Sequence, residues 1–354
     1  MSVDVKKVSE KVLQLLNEAT TAVGYDPSLI TTIPSGFDVL DIYVGGIPIG
    51  APMVLVGNPG SGKSTLAASM VAALEKMYDD FISVYVDNEY STSLERLAVL
   101  GVQRTLLKAG LTLEQIETVL NDFAVLKTKH KIESPSVFVW DTYANTMSEK
   151  ELEVDDPAKA TGWRVRLLSH KLPKMISTCI NANIAMIIIN QLRDLISMDT
   201  YASPAKELKH MRYGKDMPGG NPLKFNAFTL LDMKDAGLVP DTYGFHGSII
   251  ELVTVKCKVR PSGTKFYLVL DHAKGFDNLF SKFEFLVRRK AIVSAGPARR
   301  LKNDPAQSFQ LRNFRNKYAT DESFRKAFDD LFEQEKKLVL EELGKVVIAS
   351  AQND

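Results

Sequence analysis

The segment Gly57-Asn-Pro-Gly-Ser-Gly-Lys-Ser64 concentrates the chemistry of this chain. It fits GxxxxGK[ST] without a mismatch, follows a short apolar strand at Met53–Gly57 and opens a helix over Lys63–Tyr78. That setting separates a phosphate cradle from a chance Gly-rich turn. The glycines let the backbone curl so that successive N–H groups converge on an anion, and the helix start adds partial positive charge. Lys63 supplies a cation for the β/γ-phosphates, and the Ser64 hydroxyl offers an oxygen to Mg²⁺. Gly57, Asn58, Pro59, Gly60, Ser61, Gly62, Lys63, Ser64 and Thr65 are therefore expected to hold a nucleoside triphosphate.

A Mg²⁺ ion on those phosphates needs an acid at the end of a neighbouring apolar strand. Val137-Phe-Val-Trp-Asp141 supplies it, which makes Ser64 and Asp141 the expected metal partners. The strand between, Val84-Tyr-Val-Asp-Asn-Glu89, ends in two further carboxylates. Ligands of a parallel sheet sit at the carboxyl ends of its strands. Asp87 and Glu89 can thus both approach the phosphates, and either could orient or deprotonate water. Spacing alone does not choose between them.

Such a site needs a sheet behind it. Apolar strands at 82–86, 137–140 and 184–190 alternate with helical segments at 93–100, 113–127 and 167–181. This pattern predicts a mainly parallel sheet covered by helices on both faces, an α/β fold. After residue 245 the texture changes to hairpins, with Ser248–Val259 and Thr264–Asp271 flanking the turn signal Arg260-Pro-Ser-Gly263. Upstream, Val8, Val12, Leu15, Leu16, Ala19 and Val23 form one helical stripe that Gly24–Ser28 breaks. This arm packs either on its own core or on a neighbouring subunit. Downstream, Phe280–Lys317 is rich in Lys and Arg, and Asp321–Leu343 is predominantly acidic. The expected division is an arm and linker at 1–29, a core at 30–276 and a small α/β or helical lobe at 277–354.

The 354 residues carry a net charge of +1, so a nucleic-acid site must be a local patch. No run approaches the roughly 18 apolar residues of a membrane span, and the start lacks the apolar region of a signal peptide. Cys179 and Cys257 form no disulfide framework, and the five histidines are too scattered for a metal site. A cytoplasmic setting without membrane partners is expected.

Several further strings, in order, make the chain similar to the RecA family of DNA recombinases, and its length and ending resemble a bacteriophage member of the UvsX type. Ile33-Pro-Ser-Gly-Phe-Asp-Val-Leu-Asp41 and Gly45-Gly-Ile-Pro-Ile-Gly50 resemble the family's lead-in to the phosphate loop. Asp87-Asn-Glu89 with Leu100-Gly-Val102 resembles the segment bearing the catalytic glutamate, which implies Glu89 as the general base. Ile188-Ile-Asn-Gln191 resembles the strand ending in the glutamine that senses the γ-phosphate. Gly219-Gly-Asn-Pro-Leu-Lys-Phe225 resembles the end of the second DNA-binding loop. Val255-Lys-Cys-Lys258 resembles the strand whose two lysines reach a neighbour's ATP. Two lysines two apart on a strand share a face, and an ATP polyphosphate would supply the anion between Lys256 and Lys258.

The resemblance implies a P-loop ATPase that uses ATP and Mg²⁺, forms a helical filament on single-stranded DNA and performs homologous pairing with double-stranded DNA. A loading or mediator protein and a single-strand binding protein are implied partners. The second loop, Leu192–Pro218, contributes Arg193, Lys206, Lys209, Arg212 and Lys215 as DNA cations, with Gly219 and Gly220 allowing close approach. The first loop is expected near Glu149–Trp163, with Arg166 beyond it touching single-stranded DNA. Trp163 stacks on a base or packs. Arg96 stands where the family commonly stacks a tyrosine on adenine, and an arginine plane can stack as well. Arg299, Arg300 and Lys302, with Arg312, Arg315 and Lys317, offer an electrostatic surface for duplex DNA. Two other readings keep the same core: a hexameric DNA helicase, and a filament scaffold or mediator that binds ATP without turnover.

Overall fold

The computed structural model describes residues 31–154, 157–194, 208–296 and 298–351; the expected N-terminal arm and Lys206 lie outside them. Nine strands form the central sheet. They are β1 Pro52–Gly57, β2 Ser83–Asp87, β3 Thr105–Ala109, β4 Ser136–Asp141, β5 Ile184–Gln191, β6 Thr229–Leu238, β7 Gly247–Cys257, β8 Lys265–Asp271 and β9 Gly275–Asp277. Their spatial order is β9-β8-β7-β6-β1-β5-β4-β2-β3. Every pairing from β3 across to β6 is parallel, and every pairing from β6 to β9 is antiparallel.

The helices are α1 Asp38–Val44, α2 Lys63–Met77, α3 Leu94–Val99, α4 Leu113–Lys129, α5 Glu149–Leu152, α6 Pro157–Asn181 and α7 Gly220–Asn226, followed by α8 Asn278–Arg288, α9 Phe314–Thr320 and α10 Glu322–Ala351. The period of two along β1 sorts its side chains. Met53 and Leu55 join a cluster with Leu66, Met70 and Leu74 of α2, while Val54 and Val56 join Leu168, Leu172 and Met175 of α6. Both faces are covered, which is why these strands are apolar throughout.

Three strands of the central sheet escape the sequence pattern, one of them the three-residue β9 Gly275–Asp277. β3 is an edge strand with a half-exposed, mixed pattern, and β6 is buried only in its first half. The antiparallel region therefore begins at Thr229, upstream of the hairpins read from the sequence. Within the expected first-loop segment, α5 and the residues of α6 from Pro157 are helical.

The C-terminal lobe is α/β. It holds α8, α9, α10 and a three-stranded sheet of β10 Ile292–Ala295, β11 Ala298–Leu301 and β12 Ser308–Phe309. Its Phe280, Phe283, Phe314 and Phe328 share one apolar cluster with Leu268 and Leu270 of β8. Phe280 meets Phe314 edge-on at 5.3 Å between centroids. The core is thus continuous across residues 276 and 277. Phe280→Ala should cost about 3–5 kcal/mol and destabilise core and lobe together. Denaturant unfolding followed by Trp140 fluorescence checks this; a lobe transition that leaves Trp140 unaffected would make the lobe an independent unit.

Candidate nucleotide site

Parallel register delivers the site. Gly57 pairs with Gln191 on one side and Met233 on the other, and Asp87 pairs with Asp141. These strand ends form one edge, where α2 begins. Gly57 cannot carry a side chain: a Cβ there would lie 2.4 Å from the Met233 carbonyl oxygen and 2.5 Å from Ser61 Oγ. Gly62 turns the chain into α2 with φ +83°, in the left-handed region that favours glycine. Asn58, Pro59 and Gly60 are exposed, and Ser61 and Lys63 are buried.

Lys63 Nζ donates to the Asn58 carbonyl at 2.8 Å and to Ser61 Oγ at 3.5 Å. Burial lowers its pKa, against the opposing pull of Glu89 and Asp141. A buried ammonium satisfied mainly by a carbonyl is ready for a phosphate oxygen. Beside it lies a cavity of ≈ 340 Å³, lined by Gly60, Lys63, Ser64, Thr65, Glu89, Arg96 and His272 among others. Arg96, on the exposed helix α3, reaches across to the His272 carbonyl at 3.4 Å.

The geometry separates the two carboxylates that spacing left equal. Both oxygens of buried Asp87 are taken by backbone: the Glu89 N–H donates to Oδ1 at 2.9 Å and the Thr92 N–H to Oδ2 at 2.7 Å. Asp87 thereby shapes the turn. Glu89 lines the cavity, and its Oε1 accepts from Gln191 Nε2 at 2.9 Å. The structure brings Glu89 and Gln191 together from residues far apart in the chain.

Asp141 is fully buried and accepts from the Tyr85 hydroxyl through Oδ2 at 2.8 Å. Among the described residues its Oδ1 has no hydrogen-bond partner. Burial raises its pKa to about 6, and the Ser64 and Tyr85 hydroxyls pull it back. A buried carboxylate oxygen without a partner, next to a serine, fits a hard, hydrated cation with oxygen ligands. Among the described residues no group of three or more His, Cys, Asp or Glu is gathered for a metal. One carboxylate and one hydroxyl suit Mg²⁺, which keeps waters and relies on substrate phosphates for its remaining ligands.

Lys256 and Lys258 do not line the cavity. Lys256 Nζ donates to the carbonyls of Lys224 and Phe225 at 2.9 and 2.7 Å, at the end of α7. Burial and the neighbouring Lys258 lower its pKa. Lys258 Nζ sits 5.7 Å from the Phe228 ring centroid.

Residues 9–277 match the RecA N-terminal domain. The chain belongs to the RecA family. It is 26% identical over 329 residues to the protein RecA of Thermus thermophilus, covering 92% of this chain and 89% of that protein. It is 30% identical over 269 residues to the protein RecA of Wolbachia pipientis subsp. Culex pipiens, covering 75% and 71%. The protein RecA of Geobacter metallireducens is 28% identical over 282 residues, covering 78% of each chain. The RecA fold is thus a large, mostly parallel sheet between helices, with a small C-terminal lobe.

On the side expected for DNA, this RecA-family chain departs from its sequence pattern at two places. Arg212 is tied by Nε and a terminal nitrogen to Asp232, at 2.7 and 2.5 Å, and to the Met233 carbonyl at 3.1 Å. Its charge answers a carboxylate that is only 3% exposed, beside the phosphate loop. Arg212 is an internal anchor of the loop rather than a cation held out to DNA. Gly219 is likewise buried, and a Cβ there would lie 2.8 Å from Tyr143 Cε1, so its missing side chain makes room for an aromatic ring.

The remaining cations are dispersed. Lys215 pairs with Asp194 at 2.6 Å, and Lys224 pairs with Asp216 at 2.5 Å. Arg193 and Gly219 line a cavity of ≈ 270 Å³ with Tyr143 and Arg164. Gly220 opens a larger one of ≈ 1090 Å³ with Val165, Lys224 and Phe225. Arg166 is exposed on α6 beside Trp163, whose ring lies 5.6 Å from Lys150 Nζ. Lys209 is exposed. Arg300 is exposed on β11, and the Arg299 guanidinium bonds Ser294 Oγ.

Two outcomes follow from these pairings. Arg212→Ala leaves Asp232 buried without its partner and should cost about 3–5 kcal/mol, against less than about 0.5 kcal/mol for Lys209→Ala; denaturant titration compares them. Asp141 titrates higher folded than unfolded, so its stabilising contribution is full below the ordinary value of 3.8 and lost as pH rises through about 6. Asp41, also raised to about 6 by burial, acts in the same direction. Without metal or nucleotide, Asp141→Asn should therefore be more stable than wild type at pH 7.5, by about 1–3 kcal/mol. Urea titration at pH 7.5 and pH 4 reads the gain and its shrinkage in acid.

Proposed function

We propose that the chain is an ATP-dependent DNA recombinase that assembles on single-stranded DNA and catalyses homologous pairing and strand exchange. ATP would be hydrolysed to ADP and phosphate in a DNA-dependent manner. The observation that carries this reading is the Glu89–Gln191 hydrogen bond at 2.9 Å. It joins an acid suited to take a proton from water to the first residue before the long loop expected to meet DNA. Exchange of Gln191 from Glu89 to a γ-phosphate would free the acid and shift the loop start in one step, an order–disorder coupling of nucleotide and DNA sites.

In this reading, the loop amides and Lys63 bind the phosphates, Ser64 and Asp141 hold Mg²⁺, and Glu89 is the general base. Mg²⁺, when bound, neutralises charge developing on the β/γ-phosphates. Arg96 flanks the base. Lys256 and Lys258 serve the ATP of a neighbouring subunit, which makes turnover depend on the filament. Arg166, Arg193, Lys206, Lys209, Lys215 and Gly220 contact single-stranded DNA, and Arg299 and Arg300 contact the duplex. The finer assignment is a bacteriophage protein of the UvsX type, acting in the host cytoplasm with a loading protein and a single-strand binding protein. Among the described residues no helix is long and apolar enough to cross a membrane.

Glu89→Gln keeps size and hydrogen bonding but cannot accept the proton. ATP-dependent DNA binding should persist in it while ATPase activity falls by about 10² or more. The double variant Lys256→Ala/Lys258→Ala should also be inactive alone. Mixed with Glu89→Gln at equal total protein, it should recover partial turnover, because some interfaces then join an intact Glu89 to intact lysines. A mixture that stays inactive would place the lysines in their own subunit's chemistry. Full activity of the lysine variant alone would remove them from the site.

A further inference from the structure

Tyr85 lies in the middle of β2 and is only 1% exposed. Its hydroxyl donates to Asp141 Oδ2 at 2.8 Å, and both side chains are buried. Burial and the nearby Asp141 and Asp87 carboxylates raise the phenol far above its ordinary pKa. Two residues along β2, Asp87 accepts from the Thr92 N–H at Oδ2 and from the Glu89 N–H at Oδ1. Asp141 is thus bonded to Tyr85 of β2, and the last residue of the same strand, Asp87, is bonded to the backbone of Glu89.

Packing alone does not account for the hydroxyl. A phenylalanine would fill nearly the same volume, and a buried phenol costs free energy unless its O–H finds a partner. The bond also divides the two carboxylate oxygens unequally: Oδ2 is committed, while Oδ1 is buried and unpaired. A carboxylate with one oxygen held and the other uncommitted is the arrangement that partners beyond the metal ligands create when they orient a ligand.

We propose that Tyr85 is a positioning residue for the divalent cation: its hydroxyl holds Asp141 by Oδ2, reserves Oδ1 for the cation, and ties that carboxylate to β2, the strand that leads into the turn bearing Glu89. This rests on the reading of Ser64 and Asp141 as the Mg²⁺ partners. The substitution that tests it is Tyr85→Phe, which removes one oxygen atom and little else.

Mn²⁺ serves as the probe, with a non-hydrolysable ATP analogue and the full chain. Electron paramagnetic resonance of unbound Mn²⁺ gives the metal affinity of the ternary complex. A fluorescent ATP analogue in EDTA gives the metal-independent nucleotide affinity of the same samples. Tyr85→Phe should weaken Mn²⁺ by about 10- to 100-fold and leave nucleotide affinity in EDTA unchanged. In an Asp141→Asn background the same change should have no further effect on Mn²⁺. Unaltered Mn²⁺ affinity in Tyr85→Phe overturns the proposal. Parallel loss of nucleotide affinity in EDTA also overturns it, because the hydroxyl would then support the fold of the site. An equal additional loss in the Asp141→Asn background shows action by another route and overturns it too. Failure of the wild-type chain to take up Mn²⁺ with nucleotide is a separate result, which removes the metal reading itself.

Discussion

Parallel pairing around β1 brings the carboxyl ends of the strands to one edge, and the candidate chemistry depends on that alignment. Gly57 stands level with Gln191 and Met233, and Asp87 stands level with Asp141. A slip of one residue in any of these strands would turn its side chains to the opposite face. Register is protected because alternate residues of β1 feed two different cores, one under α2 and one under α6. The close approach of Gly57 to the Met233 carbonyl adds a steric lock at the level where the phosphate loop departs.

Polar groups at this edge fall into two kinds. Some are fully satisfied and serve as frame. Asn88 bonds the Leu111 carbonyl, the Leu111 N–H and the Thr146 hydroxyl, and Asp87 bonds two backbone N–H groups. Others are only partly satisfied. Lys63 has a carbonyl and a distant serine in place of an anion, and Asp141 keeps a buried oxygen without a partner. Burying such groups costs free energy that a well-paired interior avoids. That cost is tolerable where a charged ligand later completes the pairing, and it fits the general opposition between site chemistry and maximal stability.

The surface expected to meet DNA is built from mixed charge. Arg212 is spent on Asp232, and Lys215 and Lys224 on aspartates of the same region. Arg166, Lys209 and Arg300 stand exposed and dispersed among α6, the second loop and the C-terminal lobe. With a net charge of +1, the chain has little uniform field to attract a polyanion. Local placement of each cation therefore matters more here than total charge.

Much of this protein can be read from its residues. The phosphate loop, the strand ending in Asp141 and the alternation of apolar strands with helices are local patterns, set by spacing along the chain. They are sufficient for the α/β class and the family resemblance. What they did not contain was the pairing of groups distant in sequence. Edge exposure hid β3, and a polar second half hid β6. Asp87 and Glu89 are equivalent by spacing, and only the fold gives one of them two backbone N–H partners and the other Gln191. Arg212 has the composition of a DNA cation until β6 sets Asp232 beside it. The physical reason is the same in each case. Periodicity along a chain decides which face a side chain occupies, whereas its hydrogen-bond and charge partners are supplied by strands that meet only when the sheet is assembled.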